Sequence, residues 1–293
     1  MSRPKIPMLG LCMAEWRKAK GRGLAPAVLL FGALHGLMGP AVLKGLELLN
    51  NKTMGTDKDP FDFLAGADAA LQMAAFPVNG FALLLLASIL WAEDFSLGTL
   101  AMVFVRPVAR WRIFAAKVLV SWGMGLASLT LALVIGAALG LVLFGTTFEP
   151  EALKGMVFAG WMADMEGVGA RMLRILGGLA AATLLMGPGF MLCALCANVS
   201  RSPVLTLFAT LFLLVADFFV FLLLKGWQAA KLDGGETAGK AAEWTLWSGR
   251  GLFARHSAVE PWADIGQLMA PTLLGVAVFG GLALLMWTRR DVT

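Results

Sequence analysis

Apolar residues in this chain gather into six long runs, at 24–42, 73–91, 115–144, 173–197, 204–224 and 268–287, with the polar residues between them. Each run matches or exceeds the roughly 20 residues that an α-helix needs to cross a bilayer. The pattern therefore predicts an all-α integral membrane protein with six transmembrane helices in a single domain over 1–293. The third run, at a rise of ~1.5 Å per residue, would be about 45 Å long. It is expected to overshoot the bilayer into the cytoplasm. Ahead of the first run, MLGLCMAEWRKAKGRG sets Leu9, Met13 and Trp16 on one helical side, the pattern of an amphipathic helix on the membrane surface. The first run is longer than the core of a secretory signal, so this segment is expected to stay attached.

Composition agrees with the periodicity. The chain is 59% hydrophobic and 15% charged, with a mean hydropathy of +0.77, too little polar surface for a soluble domain of this length. Charge then sets the orientation. With the N-terminus inside, the cytoplasmic segments hold 13 basic residues against Glu15, Glu93, Asp94 and Asp291, whereas the outer segments hold 11 basic and 14 acidic residues. That bias places both termini in the cytoplasm of a cell (inner) membrane protein. It also assigns the basic pI of 9.3 to topology and anionic lipid, not to nucleic acid. The ten tryptophans all fall at span ends or in loops, as an interfacial belt requires. Trp91, Trp111, Trp122 and Trp287 are assigned to the inner face.

Several breaks interrupt the runs. Pro77, Asn79 and Gly80 are expected to kink or partly unwind the outer end of the second span. Gly187-Pro188-Gly189 breaks the fourth, which is expected either at the bundle interior, near a translocation path, or as a plain kink relieved by neighbouring helices. Gly32-x-x-x-Gly36 and Gly136-x-x-x-Gly140 would let helices approach closely. NVSRSP, at 198–203, reads as a tight cytoplasmic turn. The outer loop 145–172 carries Met156, Met162, Met165 and Met172, a possible soft-metal cluster by type but more simply the apolar contacts of an interfacial helix.

The segment 93–117 holds the most varied chemistry. Glu93 and Asp94 are placed to meet the positive end of a short helix starting near Phe95, and Ser96 to cap it. Pro107 ends that helix by pushing Arg106 out of helical geometry, and Arg110, Arg112 and Lys117 follow at the mouth of the third span, facing the membrane surface. Glu93, Gly98, Thr99, Pro107, Arg110 and Lys117 together resemble the cytoplasmic loop between the second and third spans of type-2 ABC exporter permeases. The resemblance implies that this loop is a coupling helix resting in a groove of an ATPase subunit. The apolar stretch Ala101–Val105 suits such a buried partner surface. It further implies a second permease chain, identical or related, a separate ATPase dimer carrying ATP and Mg, and outer re-entrant or surface helices within 225–267 before the last span.

Within the chain itself no catalysis, cofactor or metal is expected. GGETAGKA, at 234–241, has phosphate-loop spacing, but Ala241 stands where Ser or Thr should hold magnesium and no strand precedes it. Cys193 and Cys196 have no second pair to complete a zinc site. Two ionisable side chains fall near mid-membrane, His35 in the first span and Asp217 in the fifth, at similar depth. Asp217 is expected to face His35, another polar group or a wet path at a subunit seam, or else to be held locally, since an unpaired carboxylate in hydrocarbon costs several kcal/mol. Three function classes follow. They are an ABC exporter permease, an ion-gradient-driven secondary transporter, and a membrane anchor or assembly subunit without transport.

Overall fold

The computed structural model describes residues 7–54, 61–75, 77–96, 108–146, 167–231, 234–243, 245 and 265–289. Among them the chain is all-helical. The helices are α1 (Met8–Gly21), α2 (Leu24–Met54), α3 (Phe63–Ala75), α4 (Pro77–Ser96), α5 (Arg110–Phe144), α6 (Val168–Leu185), α7 (Gly187–Ser200), α8 (Pro203–Ala229), α9 (Gly235–Ala242) and α10 (Ile265–Arg289). Among the described residues five segments are long and apolar enough to cross a membrane: Leu24–Leu49, Arg110–Phe144, Val168–Ser200, Pro203–Ala229 and Met269–Arg289. That is the make-up of a multi-pass membrane protein. The second apolar run is divided instead, α3 ending at Ala75 and α4 beginning at Pro77, where proline takes the first helical position that needs no N–H.

α5 is the axis of one half of the bundle. Its 35 residues make a rod of about 52 Å at ~1.5 Å per residue, and α1, α2, α3 and α6 all pack along it. Glycines make the closest approaches. A Cβ on Gly32 would meet the Ser128 carbonyl at 2.5 Å, and one on Gly36 would meet Ile135 Cβ at 2.7 Å. Gly136 and Gly140 press against Gly66, Ala70 and Phe63 of α3. Both glycine pairs of the sequence pattern are thus seams on α5. α2 and α5 run in the same direction, since successive contacts climb together along both.

The other half joins α4, α7, α8 and α10. Leu83, Leu84, Leu86, Ala87, Leu90 and Trp91 of α4 pack with Phe190–Ala194 of α7 and Ala283 and Trp287 of α10. Trp91 and Trp287 meet edge to face at 6.2 Å, with Phe114 and Phe95 beside them. Trp91 and Trp287 are fully buried, which corrects the interfacial assignment of these two. Their rings close the core, and an edge-to-face aromatic cluster is stabilising beyond the area it buries. Outward faces are strongly apolar. On α8 the polar Thr206 and Thr210 turn inward, while Phe208, Phe212, Phe219 and Leu223 are exposed, the reverse of a soluble helix.

Met186 alone separates α6 from α7. It keeps helical geometry, accepts from the Phe190 N–H at 3.1 Å and donates to Ala182 O at 3.3 Å, so the interruption at Gly187-Pro188-Gly189 spans one residue. At the other end of α7, Arg201 takes a left-handed conformation, φ 58°, and Pro203 opens α8. The turn expected at 198–203 is accordingly tight and narrower, since α7 runs to Ser200 and only Arg201 and Ser202 lie between the helices. Polar anchors mark both ends of the bundle. At one end lie α1, the end of α4, the start of α5 and the end of α10. At the other lie the last turns of α2 and α5, with the starts of α3 and α6.

Candidate functional site

Lys117, two turns into α5, is buried to 1% exposure, far from the surface position expected for it. Its ammonium lies 2.7 Å from Asp94 Oδ2 and 3.0 Å from Glu15 Oε2, and it donates to the Leu90 carbonyl at 3.0 Å. An ammonium carries three donors and no acceptor, and three oxygens surround it, Glu15 Oε2 as an ion pair without hydrogen-bond geometry. The acids are shared outward. Asp94 also takes Arg22 Nη2 at 3.1 Å and Lys18 Nζ at 3.4 Å, Glu15 takes Lys18 at 2.8 Å, and Glu93 takes Arg22 Nε at 2.9 Å. Three acids balance three bases. Such balance is what a buried charge requires, because an isolated ion would be too costly to desolvate.

The local sequence explains the convergence. Lys117 stands at the mouth of a long apolar run, Glu15 is the only acid in the first 46 residues, and Gly23, at φ 74°, turns α1 back against the bundle. Glu15 and Ala19, one helical turn apart, face inward from α1. Glu93, Asp94 and Ser96 do not open a new helix near Phe95. They form the last turn of α4, where the Ser96 hydroxyl donates back to the Glu93 carbonyl at 3.0 Å. Acids at the negative end of a helix are unfavourable by themselves, and Lys117, Lys18 and Arg22 offset that cost.

Of the coupling residues expected from sequence, Glu93 and Lys117 enter this network. Arg110, the first residue of α5, instead donates to the Thr288 carbonyl at 3.1 Å and ties α5 to the end of α10. Gly98, Thr99 and Pro107 lie outside the described residues, as do Ala101–Val105, Met156, Met162, Met165 and most of 225–267 beyond α9. Glu15, Lys18 and Arg22 were missed as partners. No pattern in the sequence marked them, because the burial of Lys117 that draws the acids to it arises only from packing.

The mid-span pair is not formed. His35 is buried in α2 and its Nδ1–H donates to Phe31 O within the same helix at 2.6 Å, while Nε2 makes no hydrogen bond. α2 packs on α5, α3 and α4, and α8, which carries Asp217, packs on α9, α7 and α4. Gly187, Pro188 and Gly189 are buried, and a Cβ on Gly187 would meet Val276 at 2.8 Å and Trp122 at 3.1 Å, and one on Gly189 would meet Leu84 at 3.0 Å. Three helices thus cover the irregular backbone.

A second set of charges closes the opposite end. Asp62 holds Arg171 through both guanidinium nitrogens, Nη1 at 2.8 Å, and caps α3 through the Ala65 N–H at 3.0 Å. Asp68, also on α3, accepts from Gln72 at 2.6 Å. Burial pushes its carboxyl up to about 6, against the opposing pull of Arg174, Gln72 and Arg171. Among the described residues no group of three or more His, Cys, Asp or Glu has the arrangement of a metal site. No family model, curated protein or solved structure matches the chain.

Proposed function

We propose that this chain is the membrane-embedded permease subunit of an ABC-type exporter, coupled to a separate ATPase dimer and working with a second permease chain. In this reading α4 supplies the sixth span. The helix directions alternate accordingly, and the end holding α1, with the greater share of basic residues, is cytoplasmic. The segment between α4 and α5 serves as the coupling element.

The observation that supports this most is the anchoring of both flanks of that segment. Glu93 and Asp94 on one side and Arg110 and Lys117 on the other are fastened to α1, α4, α5 and α10 by ionic and hydrogen-bonded contacts. A displacement of the segment by a closing ATPase dimer would be carried by Lys117 into α1 and by Arg110 into α10. It would not be absorbed at a slack hinge. In this reading the chain's own task is mechanical, with polar residues at this end holding α1, α4, α5 and α10 together.

The test is purification of the tagged chain from its native membrane. A soluble subunit with ATPase activity should accompany it, and Glu93→Ala should leave hydrolysis in place while export falls. A chain that purifies with no ATPase, and whose transport follows an ion gradient in ATP-free vesicles, would overturn the proposal in favour of a secondary transporter.

A further inference from the structure

We propose that the outer face of α1 is a recognition surface for anionic lipid headgroups. Leu9, Met13, Trp16 and Lys20 follow one another at helical spacing, with Arg17 beside them, and all five are exposed, Leu9 to 71% and Trp16 to 42%. The only acid of the helix, Glu15, is withdrawn into the bundle at 5% exposure by Lys117 and Lys18. What remains outward is an apolar stripe ending in two cations, with no carboxylate to compete. Trp111, in the first turn of the helix on which α1 packs, is 53% exposed and adds a second interfacial ring.

That combination selects its occupant. The apolar stripe enters the boundary between headgroups and acyl chains, as amphipathic interfacial helices do. Arg17 and Lys20 then stand at headgroup depth, where a lipid phosphate or glycerol-phosphate diester is the complementary charge. A soluble acidic protein would satisfy the cations but leave Leu9 and Met13 in water. A zwitterionic lipid would cover the stripe but offset its own phosphate with choline. The surface exists whether or not the chain serves an ATPase.

The test is titration of the delipidated full-length chain with phosphatidylglycerol and, separately, phosphatidylcholine, bound lipids being counted by native mass spectrometry. Arg17→Gln/Lys20→Gln should weaken the tightest phosphatidylglycerol binding by about tenfold and leave phosphatidylcholine binding unchanged. Arg17→Lys/Lys20→Arg, which keeps the charge, should retain it. Lys225→Gln/Lys231→Gln removes two cations at the far end of α8, Lys225 half-buried and Lys231 exposed just beyond it, and should have no such effect. Equal loss in that control pair, or full affinity in Arg17→Gln/Lys20→Gln, would overturn the assignment. The two pairs at Arg17 and Lys20 lie on exposed positions and should keep the wild-type thermal midpoint.

Discussion

Replacing Lys117 with Met keeps the length and apolar stem of the side chain and removes the charge, which isolates the electrostatic role. Its attractions to Asp94 at 2.7 Å and Glu15 at 3.0 Å are each worth about 6 kcal/mol gross at an effective dielectric of about 20. Desolvation of three buried ions returns most of that sum. Removal of one partner is different, because the acids stay buried and lose their compensation. Lys18 and Arg22 still reach them, so the expected cost is about 3 kcal/mol, at the lower end of the range for a broken buried pair. Reversible unfolding in a mixed-micelle denaturant series would measure it. Lys117→Met/Asp94→Asn should recover part of the loss, with a coupling of about 1–3 kcal/mol in the double-mutant cycle. A cost below about 0.5 kcal/mol for Lys117→Met, or strict additivity in the cycle, would refute the network as the clamp between α1, α4 and α5.

Three further outcomes follow from particular residues. Asp68 is held at about 6 in the fold against about 3.9 when unfolded. The native state therefore binds the extra proton between these values, and stability should fall as pH rises through that window by on the order of 3 kcal/mol, then level off. Asp68→Asn should lose that fall, measured as the difference between the two pH profiles. Gly136→Leu, on the α3 seam where a Cβ already meets Ala70 and the Gly66 carbonyl, should cost upwards of about 3 kcal/mol or prevent folding, whereas Gly45→Leu, with nothing within 4 Å, should be nearly neutral in the same assay. Arg171→Met should cost about 3–5 kcal/mol by leaving Asp62 buried and unpaired, and Asp62→Asn in the same chain should return part of it.

Features that depend on local pattern and total composition were readable from the amino acids alone. Long apolar runs must satisfy their own backbone hydrogen bonds away from water, so they are helices wherever they fall. The close-packing glycines at Gly32, Gly36, Gly136 and Gly140 and the turn at 198–203 were legible for the same reason, since each is a property of a few neighbouring residues. Which charges meet depends instead on packing. Glu15 and Asp94 are far apart in the chain, and either could have faced solvent. Lys117 was placed at the membrane surface because basic residues at span mouths ordinarily lie there. Burial reversed that placement by bringing two acids to it from other helices. His35 turns to Phe31 O of its own helix and not to Asp217, for a complementary reason. Equal depth along two helices says nothing of which faces are adjacent.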